Sequence, residues 1–475
     1  MNAVLEPIVN EIRDLELNGV QIETTLFKGT VKAGVAQVCG DNLGLNSILG
    51  YSESFSANSV CRWCRAHRAV LRAQTVEDPS SLRDKGNYNS DSLLNNSTET
   101  GIKRDCALNK LQFYHVTDNV APDVMHDILE GVGGFEMKLV LNSLIEQKLI
   151  TLEQLNYRLT SFDYGFCDGG NKPSAIKPQD LKNPDGALRQ TASQTWCLLR
   201  LLPLMIGDLV PEGNQHWELF LSLLCCMELI FSPALTHGAI IFLGYLIQEH
   251  HCLFLDLYPN RHLKPKHHFM LHYPRAIRKL GPIVHFWSMR FEAKHGFFKR
   301  VSHVTCNFRN ICKTQAYRHQ IMMCYTLLSG QMFSHEFEVG PGCVTLLGTI
   351  EDFGKVSGFE GIPAFTEVYV PSWVRYKGTS YRPGMTLLVS HSPDGEPNFG
   401  TIQRIVVMSS KVRVIVKNWE TTGFERHYFA FTVFPTSAIE AVDIDSIDDY
   451  HPLHVVRSHN ENNNHHYISL KYRLF

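Results

Sequence analysis

The sequence predicts a mixed α/β protein with an α/β start, a long helical middle and a small all-β module near the C terminus. Three observations predict it: a helical pattern followed by a strand-like apolar run at the start of the chain, mostly helical signals across residues 122–247, and alternation of apolar and polar residues after about Gly340. With 475 residues, 44% of them apolar, the chain is long enough for two or three domains with buried cores.

The first predicted unit, residues 1–72, combines a helix, a strand and an acid. Residues 3–20 place apolar side chains at helical spacing, and residues 31–39 form an apolar run that leads into Gly40-Asp41. We therefore expect a helix and then a buried strand with Asp41 at its end. The next segment, 73–118, is polar and rich in Asn and Ser around residues 75–105, which predicts a flexible excursion.

Residues 119–258 are predicted to form a helical block. Pro122-Asp123 is a helix-start signal, and the apolar runs 198–205 and 217–231 are typical of buried helices. The most apolar stretch contains Glu228, and a carboxylate in the middle of a bilayer costs about 2.5–3.5 kcal/mol. Buried helices are therefore expected here, and no membrane partner.

The cysteines and the N terminus bear on the compartment. Thirteen cysteines occur in a chain whose first residues lack the basic and apolar blocks of a signal peptide. We expect mostly reduced thiols, in the nucleus or alternatively the cytoplasm.

After a predicted unit at 259–335, the pattern changes to that of strands. Residues 340–438 alternate apolar and polar side chains between glycines, which predicts a small β-barrel or sandwich. The remainder, 439–475, contains five acids between Glu440 and Asp449 and a polar run at 460–466, and is expected to be a weakly ordered tail.

Two cysteines and two histidines form a candidate metal site. Cys61 and Cys64 have the two-residue gap that lets two thiolates face one metal, although such a pair is also compatible with a redox pair or unrelated thiols. His268 and His272 stand four apart, so on a helix both imidazoles share one face and can complete a structural Zn²⁺ site. Surface histidines are the alternative, and His267 is a competing ligand.

Two acids flank these ligands symmetrically. Asp41 precedes Cys61 by 20 residues, and Glu292 follows His272 by 20 residues. Phosphodiester chemistry with Mg²⁺ needs converging carboxylates, so the two are candidate catalytic residues. A chain with 47 acids also offers such pairs by chance.

Positive charge is concentrated around Glu292. Residues 261–318 contain thirteen Lys and Arg and this single acid, a net charge of +12 over 58 residues, in a chain whose total is −2. Such a segment with interleaved aromatic residues favours contact with DNA phosphates over a solvated helical face, which normally mixes both signs. The candidate DNA-binding residues nearest Glu292 are Arg290, Lys294, Lys299 and Arg300.

A further group lies at the start of the helical block. Asp123, His126, Asp127 and Glu130 fall at the spacing of one helical face. They can hold a metal, but a structural or DNA-positioning role that begins with an Asp cap is the preferred interpretation.

Asp41, the Cys61/Cys64 pair, the His268/His272 pair and Glu292, in this order around a long helical insert, resemble the catalytic domain of CACTA-type (tnp2-like) transposases. The layout is similar, more distantly, to the catalytic subunit of the V(D)J recombinase. Further phrases match related transposon-derived proteins of animals, namely Gly40-Asp41-Asn42, Pro122-Asp123-Val124-Met125-His126-Asp127, Leu129-Glu130-Gly131-Val132, His272-Tyr273-Pro274, Gly281-Pro282 and Arg290-Phe291-Glu292-Ala293-Lys294-His295.

This resemblance spans about residues 5–328 and implies an RNase H-like α/β core interrupted by a helical insertion. It implies that Asp41 and Glu292 are the second and third acids of a DDE triad, and that Cys61, Cys64, His268 and His272 are structural zinc ligands. The family's first acid lies several strands before the second, and the chain is expected to lack it, through truncation or loss of the first strands. We therefore expect an N-terminally truncated core and a crippled Mg²⁺ site.

Three functions follow as hypotheses. The first is a transposase-derived DNA-binding protein that is catalytically incomplete, with the possibility of a homo-oligomer. The second is part of an active Mg²⁺-dependent transposase. The third is a protein-interaction scaffold that acts through the C-terminal module, which loosely resembles SH3-like or bromo-adjacent-homology barrels that bind peptides or chromatin proteins. Its candidate cage aromatics, more simply explained as core residues, are Trp373, Tyr376, Tyr381, Trp419 and Tyr428.

Overall fold

The N-terminal helix forms as predicted, but the strand after it does not. In a computed structural model that describes residues 1–330, 337–351, 353–458 and 465–472, helix α1 spans Asn2–Leu17 and a hairpin follows, with β1 at Val20–Glu23 and β2 at Lys28–Val31. The predicted strand 31–39 is wrong. Val31 pairs with Val20 at the end of β2, and beyond it only Val38 pairs, in one parallel bridge to Val120. Without a partner strand the rest of the run cannot satisfy its backbone groups as a strand.

The segment expected to be a flexible excursion is folded. It contains α3 at Arg68–Leu71, α4 at Lys85–Leu93 and α5 at Ser97–Thr100. Tyr88 on α4 is fully buried in a small core together with residues of α1 and of α2, which spans Asn42–Leu49. The polar composition misled the prediction because several of these residues cap helices: Asp84, for example, caps α4 in a capping box with Asn87.

The helical block is present, and its first helix is irregular. A π-helix at Met125–Val132 contains Glu130 in a non-helical conformation, and it continues directly into α6. The helices that follow pack around a largely apolar core. They are α6 at Gly133–Glu146, α7 at Leu152–Ser161, α8 at Gly165–Asp168, α9 at Pro178–Lys182, α10 at Ala192–Ile206, α11 at Gln215–Ile230 and α12 at His237–Leu257.

Helix α12 is the one described helix whose length and apolar composition would also suit a membrane crossing. It packs against α11 and against a later helix, α14 at Tyr273–Leu280, and two adjacent histidines inside it, His250 and His251, are fully buried. One face of α12 is therefore packed inside the protein, while Ile241, Phe242 and Tyr245 on the rest of the helix are exposed.

Four helices follow the block. Helices α13 at Pro265–Met270 and α14 at Tyr273–Leu280 carry the predicted histidine ligands. Helices α15 at Ser288–Thr305 and α16 at Ile311–Leu328 form a hairpin in which Ser288 is the single buried residue. The strongly basic segment of the sequence thus ends in an exposed pair of helices.

The C-terminal region is rich in strands and extends further than predicted. A ten-stranded sheet has the order β13-β9-β10-β11-β12-β15-β14, with β4, β5 and β6 attached beside this path, and a separate three-stranded sheet has the order β3-β7-β8. The strands are β3 at Glu338–Val339, β4 at Gly342–Leu346, β5 at Val356–Ser357, β6 at Glu367–Pro371, β7 at Val374–Tyr376, β8 at Thr379–Tyr381, β9 at Thr386–His391, β10 at Pro397–Met408, β11 at Lys411–Glu425, β12 at Ala430–Asp443, β13 at Asp449–Leu453, β14 at Val455–Arg457 and β15 at His466–Ile468.

The predicted tail is therefore part of the sheet. Strand β12 crosses the expected boundary at residue 438, and three more strands lie within 439–475. Acidic composition misled the prediction because an edge or solvent-facing position tolerates charge while the backbone still pairs. The polar run 460–466 lies outside the described residues at positions 460–464.

The β-rich region touches the helical block through the turn between β11 and β12. The indole N–H of Trp217 donates to the backbone oxygen of His427 at 3.2 Å, and His427 Nε2 donates to the oxygen of Gly207 at 2.9 Å. Phe429 and Ala430 belong to the same apolar core as the block. The mixed α/β architecture with a β-rich C terminus is thus confirmed.

Candidate metal centre and the acids around it

The predicted metal ligands meet in one buried cluster. The ligand atoms of Cys61, Cys64, His268 and His272 all lie within 4.8 Å of one another, and each residue is at most 1% exposed. Cys61 Sγ lies 3.3 Å from His272 Nε2, Cys64 Sγ lies 3.2 Å from His268 Nε2, and the two Nε2 atoms are 3.2 Å apart. Residues as far as 211 positions apart in sequence therefore converge on one point.

These distances fit a tetrahedral metal. With Zn–S bonds of about 2.3 Å and Zn–N bonds of about 2.0–2.1 Å, tetrahedral geometry places neighbouring ligand atoms roughly 3.3–3.8 Å apart. Both histidines present Nε2 to the centre, and the sulfur and imidazole donors suit a borderline metal ion. The cluster can therefore hold a metal such as Zn²⁺.

The thiols are perturbed in the way that a ligand pair requires. Burial raises the pKa of Cys61, whereas a hydrogen bond from Cys61 and contacts with His268 and His272 lower the pKa of Cys64 far below its usual value. One thiolate is thus stabilised even before a metal arrives, and a bound cation would deprotonate the second.

The structure shows which of the two adjacent histidines, His267 or His268, faces the metal cluster. His267 Nε2 lies 2.8 Å from Glu136 Oε1, and its Nδ1 accepts from the backbone N–H of Lys264 at 3.1 Å. Both of its ring nitrogens are therefore engaged away from the cluster, and His268 supplies the imidazole.

Sequence reasoning missed the carboxylate behind His272. Glu77 Oε1 lies 2.5 Å from His272 Nδ1 and accepts from Arg275 Nε at 3.0 Å. Metal-binding histidines commonly donate their second ring N–H to a carboxylate, which fixes the tautomer and ring orientation. Glu77 lies in the segment taken for an excursion, and its spacing from the ligands carries no motif that could have revealed it.

Asp41 begins a helix. As the N-cap of α2 it accepts from the backbone N–H groups of Leu43 at 2.9 Å and Gly44 at 2.8 Å, and the residue is exposed. The strand that was expected to present it is absent among the described residues. A carboxylate in this position satisfies the first turn of its helix.

Glu292 belongs to a chain of charged groups at the start of α15. Its Oε1 lies 3.3 Å from His126 Nε2, and His126 Nδ1 lies 2.5 Å from Asp123 Oδ2. The hydrogen bond with Asp123, joined by the charges of Glu130 and Glu292, raises the pKa of His126 despite its burial. Asp123 Oδ1 also accepts from the backbone N–H of Ser288 at 2.9 Å, so this group anchors α15.

The two candidate acids do not form a metal cluster. Across residues 1–330, 337–351, 353–458 and 465–472, the Cys/His cluster is the single group of three or more such ligands within 4.8 Å. The catalytic roles of Asp41 and Glu292 therefore stay predictions that the geometry does not support on its own.

A buried network connects the metal centre to both acids. Arg62, next to Cys61, donates to the side chains of Asn42 and Asn46 at 3.0 Å, and Asn42 follows Asp41. Asn42 in turn donates to Asp127 at 2.7 Å, and Tyr273, next to His272, donates to the same carboxylate at 2.9 Å. Arg62 and Tyr273, which are next to metal ligands in sequence, thus bind Asn42 beside Asp41 and Asp127 beside His126.

The ionised form of Asp127 in this network destabilises the folded state, because its carboxylate is fully buried. Burial raises its pKa to about 6 from 3.8, although the hydrogen bond from Asn42 opposes the shift. Because the folded pKa is raised, the folded state is favoured at low pH and loses stability as pH rises through about 6. The shift corresponds to about 3 kcal/mol.

We expect Asp127→Asn to stabilise the protein by about 1–3 kcal/mol at pH 8 and by much less at pH 4, near the unfolded pKa, since the amide keeps the shape without the charge. Urea unfolding of both proteins at the two pH values measures the difference. Equal stabilities at pH 8 would show that the carboxylate is not penalised by burial.

The candidate DNA-binding residues are exposed on α15, except that Lys294 is half-buried over the ring of Phe297. Arg290 and Lys294 are one turn apart, whereas Lys299 and Arg300 lie on other sides of the helix. Three cations that precede the hairpin are paired with carboxylates, Lys264 with Asp185, Arg275 with Glu77 and Lys279 with Asp118. Among the described residues the Lys and Arg side chains of α15 and α16 make no such ion pair, so the hairpin carries positive charge that is not neutralised within the fold.

The candidate cage aromatics of the β-rich region make separate local contacts. Tyr381 is 1% exposed and donates to the oxygen of Tyr450 at 2.7 Å, and Trp419 donates to Thr401 at 2.8 Å. Tyr376 donates to Asp445 at 2.6 Å. These contacts favour structural roles.

No protein-family model matches this chain, and no curated protein is similar enough to count as a relative. The likeness to CACTA-type transposases thus depends on the quoted motifs and on their order along the chain.

Proposed function

We propose that this protein is a transposase-derived, nuclear DNA-binding protein in which a zinc-braced core presents a basic helical hairpin to DNA. The observation that carries the proposal is the buried Cys₂His₂ cluster, because it joins the two halves of the motif series in the order that the transposase resemblance requires. The network from Arg62 and Tyr273 then extends that bracing to the surroundings of Asp41 and Glu292.

We also propose that the protein is catalytically incomplete. A two-metal site needs several carboxylates free to bind Mg²⁺, but Asp41 is engaged with two backbone N–H groups and Glu292 with His126. In this proposal the parallel bridge between Val38 and Val120, together with α2, represents part of an RNase H-like core. The β-rich region would be an SH3-like module that contacts protein partners.

DNA binding is expected to depend strongly on salt and on α15. Each phosphate contact made by a cation contributes about −0.9 to the slope of log affinity against log salt. Replacing Arg290, Lys294, Lys299 and Arg300 together by Gln should weaken binding to a duplex at least 10-fold at 50 mM salt and flatten the slope by about 2–4. Fluorescence anisotropy from roughly 50 to 200 mM salt measures both quantities.

The matched control removes four exposed cations elsewhere. Arg13, Lys28, Lys32 and Lys110 are exposed, and their replacement by Gln changes the net charge equally. Equal losses in the two quadruple variants would contradict a specific role of α15. Mg²⁺-dependent cleavage of the duplex by the wild-type protein would overturn catalytic incompleteness and favour an active transposase.

A further inference from the structure

A basic cavity lined by residues close in sequence to the metal ligands is separate from the basic hairpin of the function proposed above. It has a volume of about 500 Å³ and lies between α3 and the loop that leads into α13. Its charged walls are formed by Arg68, Arg72, Arg261, Lys264 and Asp185, with His262 nearby. The cavity is in the size range of small-ligand sites.

The charge of the cavity is strongly positive. Four permanent cations face one carboxylate, and Asp185 is already paired with Lys264 at 2.6 Å. Behind the wall, Lys138 is 1% exposed and donates to backbone oxygens of Asn183 and Pro184. Burial lowers the pKa of Lys138, and the charges of Arg261 and Lys264 lower it further, which is the effect of a positive field.

One of the cations is unpaired. Within the part of the chain that the structure describes, the Arg72 side chain makes no hydrogen bond and no ion pair, whereas Arg261 donates to the oxygen of Pro184 at 3.1 Å and Arg68 to that of Ser56 at 3.2 Å. A guanidinium that lines a cavity with all five donors free is suited to a planar fork onto phosphate oxygens.

The two walls are fixed to each other. The backbone N–H of Leu263 donates to the oxygen of Arg72 at 3.0 Å, which joins the segments that carry the cations. Arg68 lies four residues after Cys64 and Lys264 lies four residues before His268, so the metal cluster secures both walls. The half-buried ring of Phe55 adds an apolar surface to the cavity.

We propose that this cavity binds a phosphate group. The arginine-rich wall matches the charge and geometry of a phosphate, and the volume leaves room for the rest of a phosphorylated molecule beside Phe55. The phosphate belongs either to a free ligand such as a nucleotide or to the backbone of bound DNA. The site is distinct from α15, so it stands whether or not the hairpin contacts DNA.

The test uses the full-length, zinc-loaded protein and inorganic pyrophosphate as the probe. Calorimetric titration at low salt should show saturable binding, and Arg72→Glu should weaken that binding at least 10-fold. The control is Arg13→Glu, which makes the same charge change at an exposed position that does not line the cavity. It should leave the affinity within twofold. Zinc content and thermal midpoint of both variants are measured to establish that they fold.

A second arm identifies the source of the phosphate. The same two variants are titrated with a short DNA duplex, with and without pyrophosphate as competitor. Loss of pyrophosphate binding alone in Arg72→Glu supports a free phosphorylated ligand, whereas loss of DNA affinity in that variant with competition by pyrophosphate supports backbone contact. The proposal is overturned if folded Arg72→Glu binds both probes as tightly as Arg13→Glu, or if the wild type binds neither. Loss of DNA binding in the α15 variant alone leaves this site unaffected.

Discussion

Purified protein is expected to contain about one zinc per chain, and Cys64→Ser or His272→Ala should each reduce the content to nearly none. Either change removes one of four converging ligands, and a three-ligand remnant with a hydroxyl or a methyl group in the fourth position binds far more weakly. Apparent binding free energies of structural zinc are about 10–16 kcal/mol in small zinc-binding peptides, so the loss should also lower the thermal midpoint strongly. Elemental analysis and thermal unfolding measure the two effects.

The controls are chemically identical changes outside the cluster. Cys252→Ser and His237→Ala alter exposed residues and should leave one zinc per chain. A full zinc content in Cys64→Ser would contradict the cluster as the binding site. Glu77→Gln tests the support behind His272, and we expect it to lower the zinc affinity by about 10–100-fold without abolishing binding.

The second large effect is expected at Glu136, which is buried between two histidines. Its carboxylate lies 2.9 Å from His250 Nε2 and 2.8 Å from His267 Nε2. Burial alone would raise the pKa of Glu136, but the charge and hydrogen bonds of these histidines lower it to about 2. Removing the carboxylate with Glu136→Ala should therefore destabilise the protein by about 3–5 kcal/mol, because both imidazoles would stay buried without an acceptor.

The hydrogen-bond pattern predicts which substitution is tolerated. His251 Nε2 donates to the oxygen of His267 at 2.9 Å, so its Nδ1 accepts from His250 Nδ1 at 3.1 Å. His250 then needs a second proton to donate to ionised Glu136. A glutamine can instead accept from His267 and donate to a neutral His250, so Glu136→Gln should cost less than about 1.5 kcal/mol.

Urea unfolding at pH 7 compares the two variants. Equal destabilisation by the two substitutions would show that the negative charge of Glu136 stabilises the fold, and not its hydrogen bonds with His250 and His267. The sign of the pH dependence follows from the lowered pKa: the carboxylate's contribution is complete above about pH 4.5 and is lost as pH falls toward 2. The advantage of the wild type over Glu136→Ala should therefore shrink below pH 4.5.

The sequence was sufficient for the features that depend on periodicity or on ligand spacing. Helix α1, the helical block and the alternating strands follow from the positions of apolar residues. The pairing of Cys61 and Cys64 with His268 and His272 follows from their donor chemistry, and the structure confirms that the four converge.

The features that failed depend on partners distant in sequence. An apolar run such as 31–39 forms a strand only where another strand pairs with it, and periodicity cannot report that partner. The acidic residues between Glu440 and Asp449 were taken for a tail, although two strands cross that stretch. Glu77 and Glu136 could not be recognised because the sequence does not show that their histidine partners, which lie far away along the chain, contact them in the fold.

The hairpin of α15 and α16 is expected to be less stable than the rest of the protein, because it is almost entirely exposed. Helix α16 buries none of its residues, and Val304 and Leu328 are 80% and 89% exposed. Isolated helices of this length are marginal in water, so the hairpin should exchange its amide protons through local opening while the metal-braced core stays closed. A partner that covers the hairpin would then supply the packing the helices lack. Association would carry an entropy penalty and a negative heat-capacity change, so the partner's affinity would fall below what the contact area alone suggests.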